Sequence, residues 1–234
     1  MQEPPLHPRR PTVTMRVPPS GCGPDRRARL DTIIRLCDVA MWDLDVAREP
    51  APGAVWVVRR TTVLVGRRPE AAERLTVDTW ASAAGRVWAE RRIDLSGVDG
   101  SVAVSLATLW ASIDPATSRP TRLADHPPVA DPTRRVRISL SHADPPEGTS
   151  VRDWPIRRSD IDVLGHVNNS VIWSAWEDTE AGGAAASDDA GVRYEAEYRA
   201  QLFRGPAELR CAADGAQVWL GAVGEAPAAS VRRC

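Results

Sequence analysis

The chain has 234 residues and a formal net charge of -1, enough length to bury a real core in one large domain or two small ones. That charge excludes a nucleic-acid binder that depends on overall basicity. All 30 basic residues are arginine, which points to a GC-rich coding bias before any functional cause. Cys22, Cys37, Cys211 and Cys234 form no C-x-x-C pair, so neither a zinc knuckle nor a disulfide framework is indicated, and a cytoplasmic, reducing setting is expected. No apolar run approaches the roughly 18 residues of a membrane helix, and the Pro- and Arg-rich start lacks the apolar centre of a signal peptide.

In chain order, residues 1–10 read as a disordered leader and 12–17 as a short strand. A Pro/Gly-rich turn at 18–24 precedes a helix predicted over 29–45, whose Leu30, Ile33, Ile34, Cys37, Met41 and Leu44 share one face. Extended segments follow at 55–65, 74–82, 86–95 and 101–113, with alternation clearest in Leu75/Val77/Thr79. Residues 123–132, with three prolines among acidic residues, read as a linker. The order then repeats: a strand within 135–140 or 151–158, a helix predicted over 167–178, and extended stretches at 192–203, 207–213 and 217–223. Internal duplication is thus visible in element order, with little residue identity between the halves.

Chemistry concentrates in one stretch, Ser159-Asp160-Ile161-Asp162-Val163-Leu164-Gly165-His166-Val167-Asn168-Asn169, at a strand-to-helix junction. Asp162 precedes His166 by four positions across a glycine, which permits a sharp turn and a close substrate approach. An acid-base pair could there face one bound group, polarised by N–H groups at the helix start. Either residue alone could be a cap or a core side chain. Capping, however, does not require the glycine, histidine and two asparagines as well. Asp162 and His166 offer too few ligands for a metal site, and no other histidine is placed to join them. No G-x-S-x-G nucleophile elbow and no Gly-rich phosphate loop occurs.

The junction resembles the D-x-D-x-x-G-H-V-N-N signature of hotdog-fold thioesterases, in the version carried by acyl-acyl-carrier-protein (acyl-ACP) thioesterases. Thr76-Val77-Asp78-Thr79-Trp80, Leu109-Trp110-Ala111-Ser112-Ile113-Asp114 and Ser118-Arg119-Pro120 resemble further landmarks of that family. The resemblance implies an α+β double hotdog: two antiparallel β-sheets, each wrapped around a central α-helix, at 11–122 and 133–234. It implies hydrolysis of an acyl-ACP thioester to free fatty acid, in fatty acid biosynthesis, with no metal or organic cofactor. By the same resemblance Asp162 activates water or attacks the thioester, and N–H groups around Gly165 and Val167 stabilise the oxyanion. His166 then orients substrate or donates to the leaving thiolate, while Asn168 and Asn169 stitch the helix start or contact the pantetheine arm.

Two departures stand out. Plant-type members carry an Asp-x-Asn-x-His set and a downstream glutamate, where this chain has Leu164 and Gln201. Gln201 can orient a water but cannot act as a base, so the general-base role falls on Asp162. Strict alternation also puts Gln201 on one strand face with Arg193, Glu195, Glu197 and Arg199, a face that looks solvated.

Trp173 and Trp176, on the second helix, either pack the core or limit an acyl tunnel. The pairs Arg59-Arg60, Arg91-Arg92 and Arg157-Arg158 are either solvated strand faces or contacts to an acidic carrier protein. An acyl-CoA thioesterase and a non-catalytic acyl-binding module remain alternatives. The expected partner is acyl carrier protein, with no nucleic acid, no membrane, and room for a homodimer.

Overall fold

The computed structural model describes residues 11–43, 50–125, 127, 129, 133–179 and 190–234. The expected leader and part of the expected linker lie outside the described residues. Helix α1 runs Leu30–Asp43, and its Leu30, Ile33, Ile34, Cys37, Ala40 and Met41 form the buried stripe that the 3.6-residue period requires. It is followed by the long strands β2 (Val55–Val65), β3 (Arg74–Ala84), β4 (Trp88–Ser96) and β5 (Val102–Asp114), while β1 (Thr12–Arg16) precedes it. The two-residue strand β6 (Arg119–Pro120) pairs with β5. The second half contributes β7 (Ser150–Pro155), helix α2 (Val171–Glu177), β8 (Arg193–Tyr198), β9 (Pro206–Cys211), β10 (Gln217–Ala222) and β11 (Ala229–Arg233).

The expected two sheets are joined as one. Eleven antiparallel strands run β1-β3-β4-β5-β2-β8-β11-β10-β9-β7, with β6 off the path. The seam is the β2–β8 pair, in register from Arg60↔Glu197 to Leu64↔Arg193. Both helices pack on one face of this sheet and against each other, within one hydrophobic cluster that draws on both halves. Trp173 and Trp176 are buried completely in it. The Trp173 indole N–H donates to Tyr198 Oη at 3.0 Å, and the Trp176 ring meets Tyr194 edge-on at 6.0 Å. Both tryptophans are therefore core, and truncating either costs about 3–5 kcal/mol.

The face expected to be solvated is buried. Alternation along β8 sends Tyr194, Ala196 and Tyr198 toward the helices and Glu195 and Glu197 to the opposite face, where residues 133–144 cross them without forming a strand. Ser141 N–H and His142 N–H donate to Glu197, and Arg137 and Arg232 reach Glu195 at 2.9 Å. Arg60, also buried, pairs with Glu195 at 3.7 Å and donates to the Arg137 carbonyl. Arg60 is thereby committed inside the molecule and is not offered to a carrier.

A bulge in β2 between Val58 and Arg60 matters for the site. Val58 and Thr61 lie three positions apart, so unbroken alternation would put them on opposite faces. The extra residue brings both to the helix side.

Candidate active site

The junction folds as a tight loop closed by the Ile161↔Val167 bridge. Asp162 Oδ1 accepts the N–H of Leu164 at 2.8 Å and that of His166 at 3.2 Å. The Asp162 N–H donates to the His166 carbonyl at 2.8 Å. Gly165 sits at φ 82°, a left-handed conformation that its missing Cβ makes accessible. The first aspartate acts differently. Buried Asp160 accepts the backbone N–H and the guanidinium of Arg157, and its carbonyl accepts the Asn168 N–H at 2.8 Å. Asp160 holds the loop in place, and Asp162 shapes its tip.

The expected oxyanion donors are already engaged. Gly165 N–H bonds the Asp162 carbonyl at 3.1 Å, His166 N–H bonds the Asp162 carboxylate, and Val167 N–H bonds the Leu202 carbonyl at 2.7 Å. The second helix also begins at Val171 rather than 167, because Asn168 Oδ1 takes the Ser170 N–H and forms an Asx turn in its place. Asn168 is thus the stitch, while Asn169 lies on the wall of a cavity and its carbonyl accepts the Tyr198 hydroxyl at 3.2 Å. The His166 ring is half-buried, edge-on to Phe203 at 5.1 Å, and its nitrogens have no hydrogen-bond partner among the described residues. Val163 and Leu164 point into solvent at the loop tip, so Leu164 brings no apolar contact to the site.

Gln201, within the extended stretch expected at 192–203, lies beyond the end of the observed strand. β8 ends at Tyr198, the N–H groups of Arg199 and Ala200 both reach the Ala228 carbonyl, and Gln201 is exposed on the following loop. That irregularity removes Gln201 from the buried Glu195/Glu197 face. Its neighbour Leu202, through the bond from Val167, ties the loop to the junction.

The cavity beside Asn169 runs between α1 and the strands of the first half. It encloses about 20 Å³ between apolar side chains that include Ile34, Met41, Ile93, Leu106 and Trp110. That is room for about one water molecule, so an acyl chain, which the apolar wall suits chemically, would enter only by parting these side chains. Residues 14–127, which supply these side chains, match the family model described as the acyl-ACP thioesterase N-terminal domain. This stretch, a little under half of the chain, is similar to the N-terminal domain of the acyl-ACP thioesterases.

The likeness extends to the fold of the whole structure. The 12:0-ACP thioesterase of Umbellularia californica superposes with a TM-score of 0.76 at 18% identity, covering 97% of each chain. An acyl-ACP thioesterase of Bacteroides thetaiotaomicron gives 0.76 at 18% identity, covering 95% of this chain and 96% of that one. The fold of the acyl-ACP thioesterases is therefore present from end to end. By sequence, an uncharacterised Mycobacterium tuberculosis protein is 28% identical over 122 residues, 50% of this chain and 48% of that protein. The chloroplastic acyl-[acyl-carrier-protein] hydrolase of Cuphea viscosissima is 28% identical over 136 residues, 52% of this chain and 32% of the hydrolase. The match thus spans half or less of these curated relatives.

One polar residue of the cavity wall escaped the sequence reading. Asp38, on the otherwise apolar face of α1, lines the cavity with Asn169 and Tyr198. Burial pushes its carboxyl up to about 7, against the pull of Arg35 and with a further push from the Asp162 charge. Helical spacing does put it on that face, four residues after Ile34 and three before Met41, but its charge made it read as part of the solvated side. Burial likewise raises the Cys37 thiol and the Tyr198 phenol.

His142, Glu195 and Glu197 bring three ligand-type atoms within 4.8 Å, yet the donor set does not suit a cation. Arg60, Arg137, Arg193 and Arg232 already pair with Glu195, two backbone N–H groups occupy Glu197, and His142 Nδ1 is bonded to Ser230. This is an ion-pair network at the seam. None of the described helices is long and apolar enough to cross a membrane.

Proposed function

We propose that the chain is a thioester hydrolase that releases free fatty acid from acyl-ACP in fatty acid biosynthesis, in the cytoplasm. The observation that carries this reading is the apolar cavity of the first half, whose wall is completed by Asn169 of the junction stretch and by Tyr198 from the second half. On this reading the acyl chain lies along α1 and the thioester carbonyl rests at the junction. Asp162 takes a proton from the attacking water, a role suited to a carboxylate fixed in place by two N–H donors. His166, with its ring nitrogens unengaged, orients the thioester or the leaving sulfur, and Gln201 orders the water from the adjacent loop. The halves are read as two hotdog units, 11–122 and 133–234, with 123–132 linking them. The β2–β8 pairing supports that reading, since it gives the two units one shared surface inside a single chain.

The test is a hydrolysis screen with matched carrier-protein and CoA thioesters across several chain lengths. Carrier thioesters should turn over faster, with the preference shrinking as salt screens charge. Equal turnover of both at low and high salt identifies an acyl-CoA thioesterase. Binding without turnover identifies an acyl-binding module.

A further inference from the structure

Among the described residues, the backbone of the junction offers no free N–H for the charge that hydrolysis creates. Attack of water on a thioester carbonyl puts a negative charge on the carbonyl oxygen, and a preorganised hydrogen-bond donor at that oxygen is the usual means of stabilising it. Here the N–H groups of Gly165, His166 and Val167 are each committed to another acceptor. Helix α2, at seven residues, starts in an Asx turn whose first N–H is also taken.

Asp38 is the candidate donor. It lines the same small cavity as Asn169, it is near enough to the junction for the Asp162 charge to act on it, and its carboxyl has no hydrogen-bond partner among the described residues. It comes from α1, the helix of the other half, so the site would draw on both halves of the chain. Building on the hydrolase reading above, we propose that Asp38, as the neutral carboxylic acid, donates the hydrogen bond that stabilises the thioester oxyanion.

The environment keeps such a proton in place near neutrality. Burial, opposed by the charge of Arg35 on the same helix and helped by that of Asp162, raises the Asp38 carboxyl to about 7. Cys37 beside it and Tyr198 across the cavity are the other titratable groups that feel Asp38, and burial holds both in their neutral forms. Two carboxyls in different environments, one an acceptor bonded to N–H groups and one held neutral, divide acid and base roles between them.

The step balances without a co-reactant. Water's oxygen bonds the carbonyl carbon, its proton passes to Asp162, and the carbonyl π pair moves onto the oxygen facing the Asp38 hydroxyl. On collapse the carbonyl re-forms, the carbon–sulfur bond breaks, and the Asp162 proton goes to the departing thiolate. Asp38 retains its proton throughout, and the products are a carboxylic acid and a thiol.

The experiment compares single-turnover hydrolysis by wild type, Asp38→Ala and Asp38→Asn from pH 5 to 9. Asp38→Ala should slow the chemical step by about 10²–10³, the reach of one oxyanion donor. Asp38→Asn keeps a donor of the same shape, so it should retain more rate and lose the wild-type decline as pH rises through about 7. Near-normal rate in Asp38→Ala, or an unchanged alkaline decline in Asp38→Asn, overturns the assignment. A second readout is independent of turnover: the ¹³C shift of the Asp38 carboxyl, followed with and without an acyl-pantetheine amide that cannot be hydrolysed. Its midpoint should lie near 7 and rise with the amide bound, and an ordinary midpoint or no rise overturns the proposal. A wild-type protein that hydrolyses no thioester refutes the hydrolase reading instead, with the titration still deciding the role of Asp38.

Discussion

Glu177, in the last turn of α2, accepts the backbone N–H of Leu30 at the start of α1 at 2.8 Å. Its other carboxylate oxygen meets Arg68, which is itself buried and also donates to the Ala28 carbonyl. One side chain thus caps the helix of the other half and neutralises a buried guanidinium. Removing one partner of a buried pair leaves the other charge uncompensated, at a typical cost of about 3–5 kcal/mol. Glu177→Ala should therefore lower unfolding free energy by about that amount in denaturant titration. A change under about 1 kcal/mol would show that Arg68 finds another partner.

Asp162→Asn is the informative variant at the junction, because an amide oxygen can still accept the N–H groups of Leu164 and His166 and preserve the loop. We expect its single-turnover rate to fall by about 10²–10⁴ with stability nearly unchanged. Full activity in a folded Asp162→Asn protein would reduce Asp162 to a loop-shaping residue.

His166→Ala should cost less than Asp162→Asn, and Gln201→Ala less again, since Gln201 is exposed and reaches the site only through its loop. Gln201→Glu should preserve or raise activity, because a second base would then face the same water. The ordering is read from kcat on folded variants, and a larger loss at Gln201 than at Asp162 would reverse the assigned roles.

Acid stability should depend on Glu195. Burial alone would raise its carboxyl, but the bond to His142 and the charges of Arg137 and Arg232 outweigh it and hold the group at about 2. A depressed carboxyl contributes stability that is present above its ordinary value of 4.5 and is lost as pH falls toward 2. The loss should reach about 3 kcal/mol in that window, and Glu195→Gln should flatten it in thermal melts.

Asp38 predicts the opposite slope. Its raised carboxyl favours the protonated fold, so its contribution is lost as pH rises from about 4 to about 7. Melts of Asp38→Asn should match wild type near pH 4 and exceed it at pH 8, by about 1–3 kcal/mol for a group that retains some solvent contact.

Much of the first half was legible because its elements are long and periodic. The strand expected at 55–65 and the helix expected at 29–45 coincide, or nearly so, with Val55–Val65 and Leu30–Asp43. The second half was harder to read for physical reasons. Asn168 draws the chain into an Asx turn where helical spacing alone runs on, and of the two places offered for the first strand of this half, 151–158 holds β7 while 135–140 is tied by side-chain bonds to the face of β8. The junction motif was visible as a string of residues. The covered face of β8 and the carboxyl on α1 were not, because each depends on what the other half places against it.

The β2–β8 seam has a consequence for any attempt to separate the halves. Cutting the chain within 123–132 would bare two complementary strand edges, one on each fragment, with their N–H and C=O groups unsatisfied. Each fragment would then be a template for the other, so co-expressed pieces should reassemble as a heterodimer. Either piece alone should self-associate through the same edge.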